Sequence, residues 1–129
     1  MPASDRKRRI LVVEDEAMIS MLLEDMVLDC GGEIVGPVAK FDDALVLAQT
    51  AEFGVAVLDL NLNGILSYPI AEIIRERGIP VIFATGYGAD GVLDRFSDCP
   101  TLQKPFSQQD FAEAVAAACR QDTSNGCVS

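Results

Sequence analysis

Five short runs of apolar and β-branched residues recur along the chain, and longer segments with a helical pattern separate them. Runs of this length, rich in Val and Ile, predict β-strands. Strands of a parallel sheet that is covered on both faces are apolar without alternation, which matches these runs. The predicted strands cover these ranges: 9–13, 33–39, 54–59, 80–85 and 101–104.

The segments between the strands carry the three- and four-residue spacing of amphipathic helices. Gly31 and Gly32 end the first of these helices. The second is predicted over residues 41–51, and Pro69 fits the first turn of a third that ends before Gly78. The apolar positions of the first helix are Ile19, Leu22, Leu23, Met26 and Val27.

The last helix has the clearest start signal, since Ser107 and Asp110 form the pattern of a capping box. Its apolar stripe consists of Phe111, Ala114, Val115, Ala118 and Cys119.

The segment 86–99 is less favourable for a helix, because it has three glycines within six positions. Each glycine costs about 1 kcal/mol relative to alanine inside a helix. We therefore predict that the helix after the fourth strand is short or mobile.

Strands that alternate with helices predict an α/β fold with a doubly wound five-stranded parallel sheet, in the flavodoxin-like order 2-1-3-4-5. One domain over residues 9–121 accounts for the pattern, with a flexible N-terminus at 1–8 and a disordered tail at 122–129. In such folds, ligands bind beyond the carboxyl ends of the strands, near the switch between strands 1 and 3.

Polar residues with chemical potential follow four of the predicted strands. Carboxylates from strands 1 and 3 repel one another unless a cation lies between them, and hard oxygen ligands suit Mg²⁺. We expect Glu14, Asp15 and Asp59 to form this metal pocket, with the backbone carbonyl of Asn61 as a further ligand. The residues at the strand ends are Glu14, Asp15, Glu16, Asp59, Thr85 and Lys104.

This set of groups is what phosphoryl transfer requires, because its catalysis consists mainly of positioning and charge neutralisation. A carboxylate can itself be the nucleophile. Asp59 is then the predicted phosphoacceptor, while Lys104 and the hydroxyl of Thr85 hold the remaining phosphoryl oxygens. Taken singly, each of these residues is also compatible with a turn or a helix cap.

Composition narrows the function. The chain has 129 residues and a net charge of −10, which disfavours contact with nucleic-acid phosphates. It has no histidine, and its four cysteines lack a C-x-x-C spacing, which argues against zinc and histidine catalysis. Its apolar runs are shorter than the ~20 residues that span a bilayer, and its start lacks a signal-peptide pattern. We expect a cytoplasmic protein without membrane contact.

Four stretches in this order, "ILVVEDE", "VLDLNLNG", "FATGYG" and "LQKPF", resemble the receiver domain of two-component response regulators over residues 9–120. The resemblance implies Mg²⁺ binding by Glu14 and Asp15, phosphorylation of Asp59, a switch hydroxyl at Thr85 and a phosphate-contacting Lys104 followed by a cis proline. It implies a single-domain regulator phosphorylated by a sensor histidine kinase. The protein then signals by contact with a downstream protein or acts as a phosphate sink.

"FATGYG", with "SYPIAE" upstream, is similar to the FAT GUY subgroup of single-domain regulators, whose partners are often kinases of the HWE type. The family usually has an aromatic switch residue where this chain has Thr101, and Tyr87 is a candidate replacement. The resemblance implies a signalling domain and not an enzyme, apart from support for its own phosphotransfer and slow autodephosphorylation.

Three alternatives remain beside this interpretation. "GYGADG" matches a dinucleotide fingerprint, but it follows the fourth strand and not the first. An Asp-nucleophile phosphatase of the haloacid-dehalogenase type carries a second acid two residues after the nucleophile, where this chain has Asn61. A phosphorylation-independent interaction module does not require the set Asp59, Thr85 and Lys104.

Overall fold

The computed structural model describes residues 9–86, 96, 98–104 and 106–124. Its main sheet has five parallel strands in the order β2-β1-β3-β6-β7, and β4 and β5 form a separate antiparallel pair. The predicted flavodoxin-like order 2-1-3-4-5 is thereby confirmed for the main sheet. The strands are β1 (Arg9–Val13), β2 (Glu33–Val38), β3 (Val55–Asp59), β4 (Asn61–Leu62), β5 (Ile65–Leu66), β6 (Val81–Thr85) and β7 (Thr101–Gln103).

Four helices are present in the described part of the chain. The predicted capping box at the last helix is confirmed, since Ser107 N–H donates to Asp110 Oδ2 at 3.1 Å and Asp110 N–H donates to Ser107 Oγ at 3.0 Å. Pro69 lies in the first turn of the third helix, as predicted. The helices are α1 (Ala17–Asp29), α2 (Phe41–Thr50), α3 (Tyr68–Glu76) and α4 (Gln108–Ser124).

The ends of the chain differ from prediction in one respect. Helix α4 continues to Ser124, so residues 122–124 are helical and not part of the predicted disordered tail. Helix formation adds one backbone hydrogen bond for each residue once the helix is started, which favours this extension. The predicted N-terminus at 1–8 and the remaining tail at 125–129 lie outside the described residues.

The predicted short or mobile helix over 86–99 falls mostly on residues 87–95 and 97, which lie outside the described part. Phe96 is described, and it is buried. Its ring stacks on Tyr68 with centroids 5.1 Å apart, and it meets Phe83 edge-on at 5.4 Å. This aromatic trio attaches the chain before β7 to α3 and β6.

Two hydrophobic clusters lie on opposite faces of the sheet, because successive strand residues point to opposite sides. Along β1, Leu11 and Val13 belong to the cluster under α2 and α3, while Ile10 and Val12 belong to the cluster with α1 and α4. Both faces of the central strands are therefore buried, which explains their unbroken apolar sequence. No helix in the described ranges has the length and hydropathy that a membrane span requires.

Strand register places the candidate residues at one edge of the sheet. Val13 pairs with Leu58, so the acids that follow β1 lie beside the end of β3. Asp59 pairs with Ala84, which puts Thr85 one position further along the neighbouring strand. Parallel strands thus deliver residues that are distant in sequence to a common rim.

Arg77 joins α3 to the end of α2. Its guanidinium donates to the carbonyl oxygens of Ala48 at 2.7 Å and Ala51 at 2.8 Å, and it lies 5.2 Å from the centroid of the Phe53 ring. The last carbonyls of a helix have no partner within it, and a forked cation satisfies two at once. Arg77 therefore acts as the C-terminal cap of α2.

We predict that Arg77→Ala lowers the free energy of unfolding by about 1.5–3 kcal/mol, the range for hydrogen bonds from a charged group. Urea denaturation followed by circular dichroism measures the change. Arg77→Lys is the matched control, since it keeps the charge without the fork, and we expect an intermediate loss. A lysine variant as stable as the parent protein would refute the capping role.

Candidate site at the carboxyl ends of the strands

Three carboxylates meet where β1 and β3 end. Glu14 and Asp15 follow β1 directly, and Asp59 is the last residue of β3. One ligand oxygen from each lies within 4.8 Å of the others. Glu14 is 2% exposed and Asp59 is 5% exposed, whereas Asp15 is half-buried. The structure therefore brings together the three acids that the sequence nominated.

Lys104 supplies positive charge to this pocket. Its Nζ lies 3.0 Å from Glu14 Oε1 and 3.4 Å from Asp59 Oδ2. Its backbone N–H donates to the carbonyl oxygen of Thr85 at 2.9 Å, which fixes the strand end that carries it. Partial burial lowers the pKa of Lys104, but the hydrogen bond and charge of Glu14, together with Asp59, outweigh it and raise that pKa.

The crowding of acids changes their protonation. Burial raises the pKa of Asp59 to about 8, helped by its hydrogen bond with Asp15 and the charge of Glu14, while Lys104 opposes the shift. Burial also acts to raise the pKa of Asp15. Hydrogen bonds from Asp59 and from the N–H groups of Asp15 and Asn63 act against burial and together have the larger effect, so the pKa of Asp15 is lowered. Below about pH 8, the raised pKa of Asp59 therefore favours its protonated form in the absence of a bound cation.

The β4–β5 hairpin orients two of the acids. Asn61 N–H donates to Asp59 Oδ1 at 3.2 Å, and Asn63 N–H donates to Asp15 Oδ2 at 3.1 Å. Asn63 has φ +53° and Gly64 has φ +93°, as a two-residue hairpin turn with both φ angles positive requires. The Asn-Gly pair in "NLNGIL" is a hairpin signal that the sequence interpretation did not use.

The donor set fits a hard divalent cation. Among the described residues, four carboxylates lie in or beside the pocket, against the one ammonium group of Lys104; they belong to Glu14, Asp15, Glu16 and Asp59. Glu14 Oε1 is buried and accepts no hydrogen bond within the described residues, although Lys104 Nζ is near it. Excess negative charge and an oxygen with spare capacity are the features that Mg²⁺ satisfies.

The remaining predicted residues have the following positions. Thr85 is the last residue of β6 and is 4% exposed. Thr101 begins β7, is half-buried, and donates from Oγ1 to the Cys99 carbonyl at 3.4 Å. Tyr87, the proposed substitute for the missing aromatic, lies outside the described residues. So does Pro105, on which the expected cis peptide depends.

Glu16 is the residue that sequence reasoning named at the strand end without giving it a role. Its Oε1 lies 3.4 Å from Lys104 Nζ, and its backbone N–H donates to Glu14 Oε2 at 3.1 Å. The third acid of "EDE" was the available signal, but the spacing of residues does not predict the direction in which its side chain points.

A family of known proteins matches most of this chain. Residues 10–116 match the family model of the response regulator receiver domain. The transcriptional regulatory protein PdtaR of Mycobacterium tuberculosis is 32% identical over 117 residues, which cover 86% of this chain and 56% of PdtaR. The chain spans about half the length of the curated relatives it matches.

Solved structures resemble it closely. The solution structure of SdrG from Sphingomonas melonis Fr1 has a TM-score of 0.80 at 42% identity, covering 88% of this chain and 98% of SdrG. SdrG from Pseudomonas melonis Fr1 in the BeF3-activated conformation has a TM-score of 0.73 at 42% identity, covering 85% and 94%. The receiver domain of PhyR from Erythrobacter litoralis has a TM-score of 0.76 at 29% identity, covering 88% and 91%.

The elevated pKa of Asp59 predicts a pH-dependent stability. Because the folded-state pKa of about 8 exceeds the ordinary value of 3.8, the folded state binds this proton more tightly than the unfolded state. The contribution of Asp59 is therefore greatest below about pH 4 and is lost as pH rises to about 8. Without Mg²⁺, Asp59→Asn should be more stable than the parent protein at pH 8, by at least about 1.4 kcal/mol, one pKa unit.

Urea titrations in EDTA at several pH values between 4 and 8 measure this difference. We expect the advantage of Asp59→Asn to shrink steadily toward pH 4. Asp25→Asn, on the exposed face of α1, is the control for removing an acid elsewhere. An advantage that stays constant across the pH range would contradict the buried-charge explanation.

Proposed function

Because this chain belongs to the response regulator receiver domain family, we propose that it accepts a phosphoryl group on Asp59 from a sensor histidine kinase in the cytoplasm, with Mg²⁺ as cofactor. The observation that carries the proposal is the convergence of Asp59, its two acidic neighbours and Lys104 within one pocket. These groups lie at the ends of three separate strands. A separate turn or capping role for each residue would not explain why all of them meet in one pocket.

Asp59 is the proposed nucleophile. One of its carboxylate oxygens forms a bond to phosphorus as the bond between phosphorus and the donor's histidine nitrogen breaks, and the histidine ring keeps the electron pair and gains a proton. Because its raised pKa favours the protonated form, Asp59 must lose this proton before it attacks. The N–H of Asn61, 3.2 Å from Asp59 Oδ1, orients the carboxylate for the attack.

Lys104 and Thr85 are the proposed contacts for the transferred group. Lys104 Nζ is already 3.4 Å from Asp59 Oδ2, so a small displacement brings the ammonium group to a phosphoryl oxygen. Thr85 lies at the end of the neighbouring strand, where its hydroxyl can serve as the switch group. The exchange of partners at Lys104 supplies the differential interaction that a change of conformation requires.

Glu14, Asp15 and Asp59 would hold Mg²⁺, with the Asn61 backbone carbonyl as a proposed further ligand. Bound there, the cation supplies positive charge that neutralises the phosphoryl oxygens in the transition state. The acids also have roles that do not depend on the cation. Glu14 forms an ion pair with Lys104, and Asp15 accepts a hydrogen bond from the protonated form of Asp59. A pocket with this charge balance admits a phosphoryl dianion only when its carboxylates are neutralised.

We predict that acetyl phosphate with Mg²⁺ adds one phosphoryl mass to the protein, as detected by intact mass spectrometry. EDTA should abolish the adduct, and so should Asp59→Asn. Asp25→Asn, an exposed acid outside the pocket, is the matched control and should label normally. An undiminished adduct in Asp59→Asn would sink the assignment.

This labelling experiment, together with a turnover assay on a generic phosphomonoester, separates the alternatives. A phosphorylation-independent interaction module gives no adduct with any phosphodonor. A phosphatase of the Asp-nucleophile type instead turns over a generic phosphomonoester continuously, whereas a receiver domain releases phosphate slowly from its own aspartate.

The finer assignments rest on sequence resemblance. "FATGYG" and "SYPIAE" support membership of the FAT GUY subgroup and, with it, a kinase of the HWE type. The phosphorylated form then contacts a downstream protein or drains phosphate from a relay. Phosphotransfer profiling against sensor kinases of HWE and other types tests the pairing.

Exposed apolar side chains near the pocket support a protein partner. Met18 is 83% exposed and Met21 is 63% exposed, on the first turns of the helix that starts just after the acidic run. Ile65, on the hairpin that contacts Asp15 and Asp59, is 52% exposed. Exposed apolar groups gathered beside a functional site are typical of protein contact surfaces.

We predict that Met18→Gln with Met21→Gln slows transfer from the kinase about fivefold or more, the effect of losing roughly 1 kcal/mol of contact, while labelling by acetyl phosphate is unchanged. Val46→Gln on α2, also highly exposed, is the control. Equal slowing with both donors would place the defect in the pocket and not at the partner surface.

A further inference from the structure

Lys104 also contacts a carboxylate outside the cluster of Glu14, Asp15 and Asp59. Besides Glu14 and Asp59, its Nζ contacts Glu16 Oε1 at 3.4 Å. The Glu16 side chain is 64% exposed, whereas that of Glu14 is fully buried and that of Asp59 is 7% exposed. Lys104 therefore bridges from the buried site to an acid at the surface.

The position of Glu16 is set by the backbone and not by helix capping. Its N–H donates to Glu14 Oε2 at 3.1 Å, and the same oxygen accepts from Lys104 Nζ at 3.2 Å. Glu16 is the N-cap residue of α1, yet its side chain makes no capping hydrogen bond. Its carboxylate is free to act on Lys104, and it lies outside the three-acid cluster that fits a cation.

We propose that Glu16 is a positioning residue that restrains Lys104 in the resting protein and so sets how readily the ammonium group moves to a phosphoryl oxygen on Asp59. This inference rests on the proposed function. When the pocket fills, Glu14 and Asp59 are neutralised by their new partners and stop competing for Lys104. Glu16 lies outside the cluster that would hold the cation and the phosphoryl group, so among the described acids that contact Lys104 it is the one that continues to draw the ammonium group away from the phosphoryl position.

The test uses beryllofluoride, a phosphoryl mimic, and measures its affinity in saturating Mg²⁺ by isothermal titration calorimetry. We expect Glu16→Gln to raise the affinity about two- to fivefold, the range expected for a partly exposed ion pair. Glu16→Asp keeps the charge but shortens the side chain, so it should raise the affinity similarly. If only Glu16→Gln has an effect, general charge repulsion is the cause and the positioning role is overturned.

A double-mutant cycle provides the second criterion, because the effect must pass through Lys104. In a Lys104→Ala background, and in Lys104→Gln should the alanine variant fail to fold, Glu16→Gln should leave the affinity unchanged. An equal gain in both backgrounds contradicts the inference, as does no gain in the parent background. Thermal melts should be alike for both Glu16 variants, which separates positioning from a structural defect.

Failure of the proposed function has a different signature. If the parent protein neither binds beryllofluoride nor gains a phosphoryl group, both proposals fall together. If it does both and the Glu16 variants match it, only the role of Glu16 is wrong.

Discussion

The confinement of several carboxylates within one small, mostly buried space is the constraint on which the rest of the site depends. Asp59 and Glu14 are nearly inaccessible to water, and their mutual repulsion is not relieved by solvent. The raised pKa of Asp59 favours its neutral, protonated form, and the ammonium group of Lys104 lies against both acids, so both effects reduce this repulsion. In the proposed function, a phosphoryl group would take the place of the proton on Asp59 and draw the ammonium group of Lys104 towards its own oxygens.

The sheet imposes this crowding because its register leaves no other place for the acids. Asp59 is the last residue of a strand whose other residues are all buried. Its pairing with Ala84 fixes its position at the carboxyl end of the sheet. The hydrophobic clusters on both faces anchor that register, since a one-residue slip exchanges the residues that face each helix layer. Core packing thus holds the charges together against their repulsion.

The fold and the pocket could be predicted because both depend on local patterns. Continuous apolar runs indicate parallel strands, and polar residues at their ends must meet at one rim. The β4–β5 hairpin was missed because each strand has two residues, too few to show periodicity, and because the Asn63-Gly64 turn signal was not used. The Arg77 cap and the Glu16 contact were also missed, since both depend on the path of a long side chain across 26 to 88 positions of sequence. No spacing rule encodes such a path.

The Lys104–Glu14 hydrogen bond joins residues 90 positions apart, which has a consequence for synthesis of the protein. The acids that follow β1 and end β3 are synthesised before the lysine that neutralises them, so a chain that has not reached Lys104 carries these acids without their countercharge. Docking of β7 beside β6 introduces the countercharge late, and contacts of such long separation form slowly. The pocket is therefore completed only when β7 has docked beside β6, and a chain that ends before Lys104 lacks the cation beside Asp59.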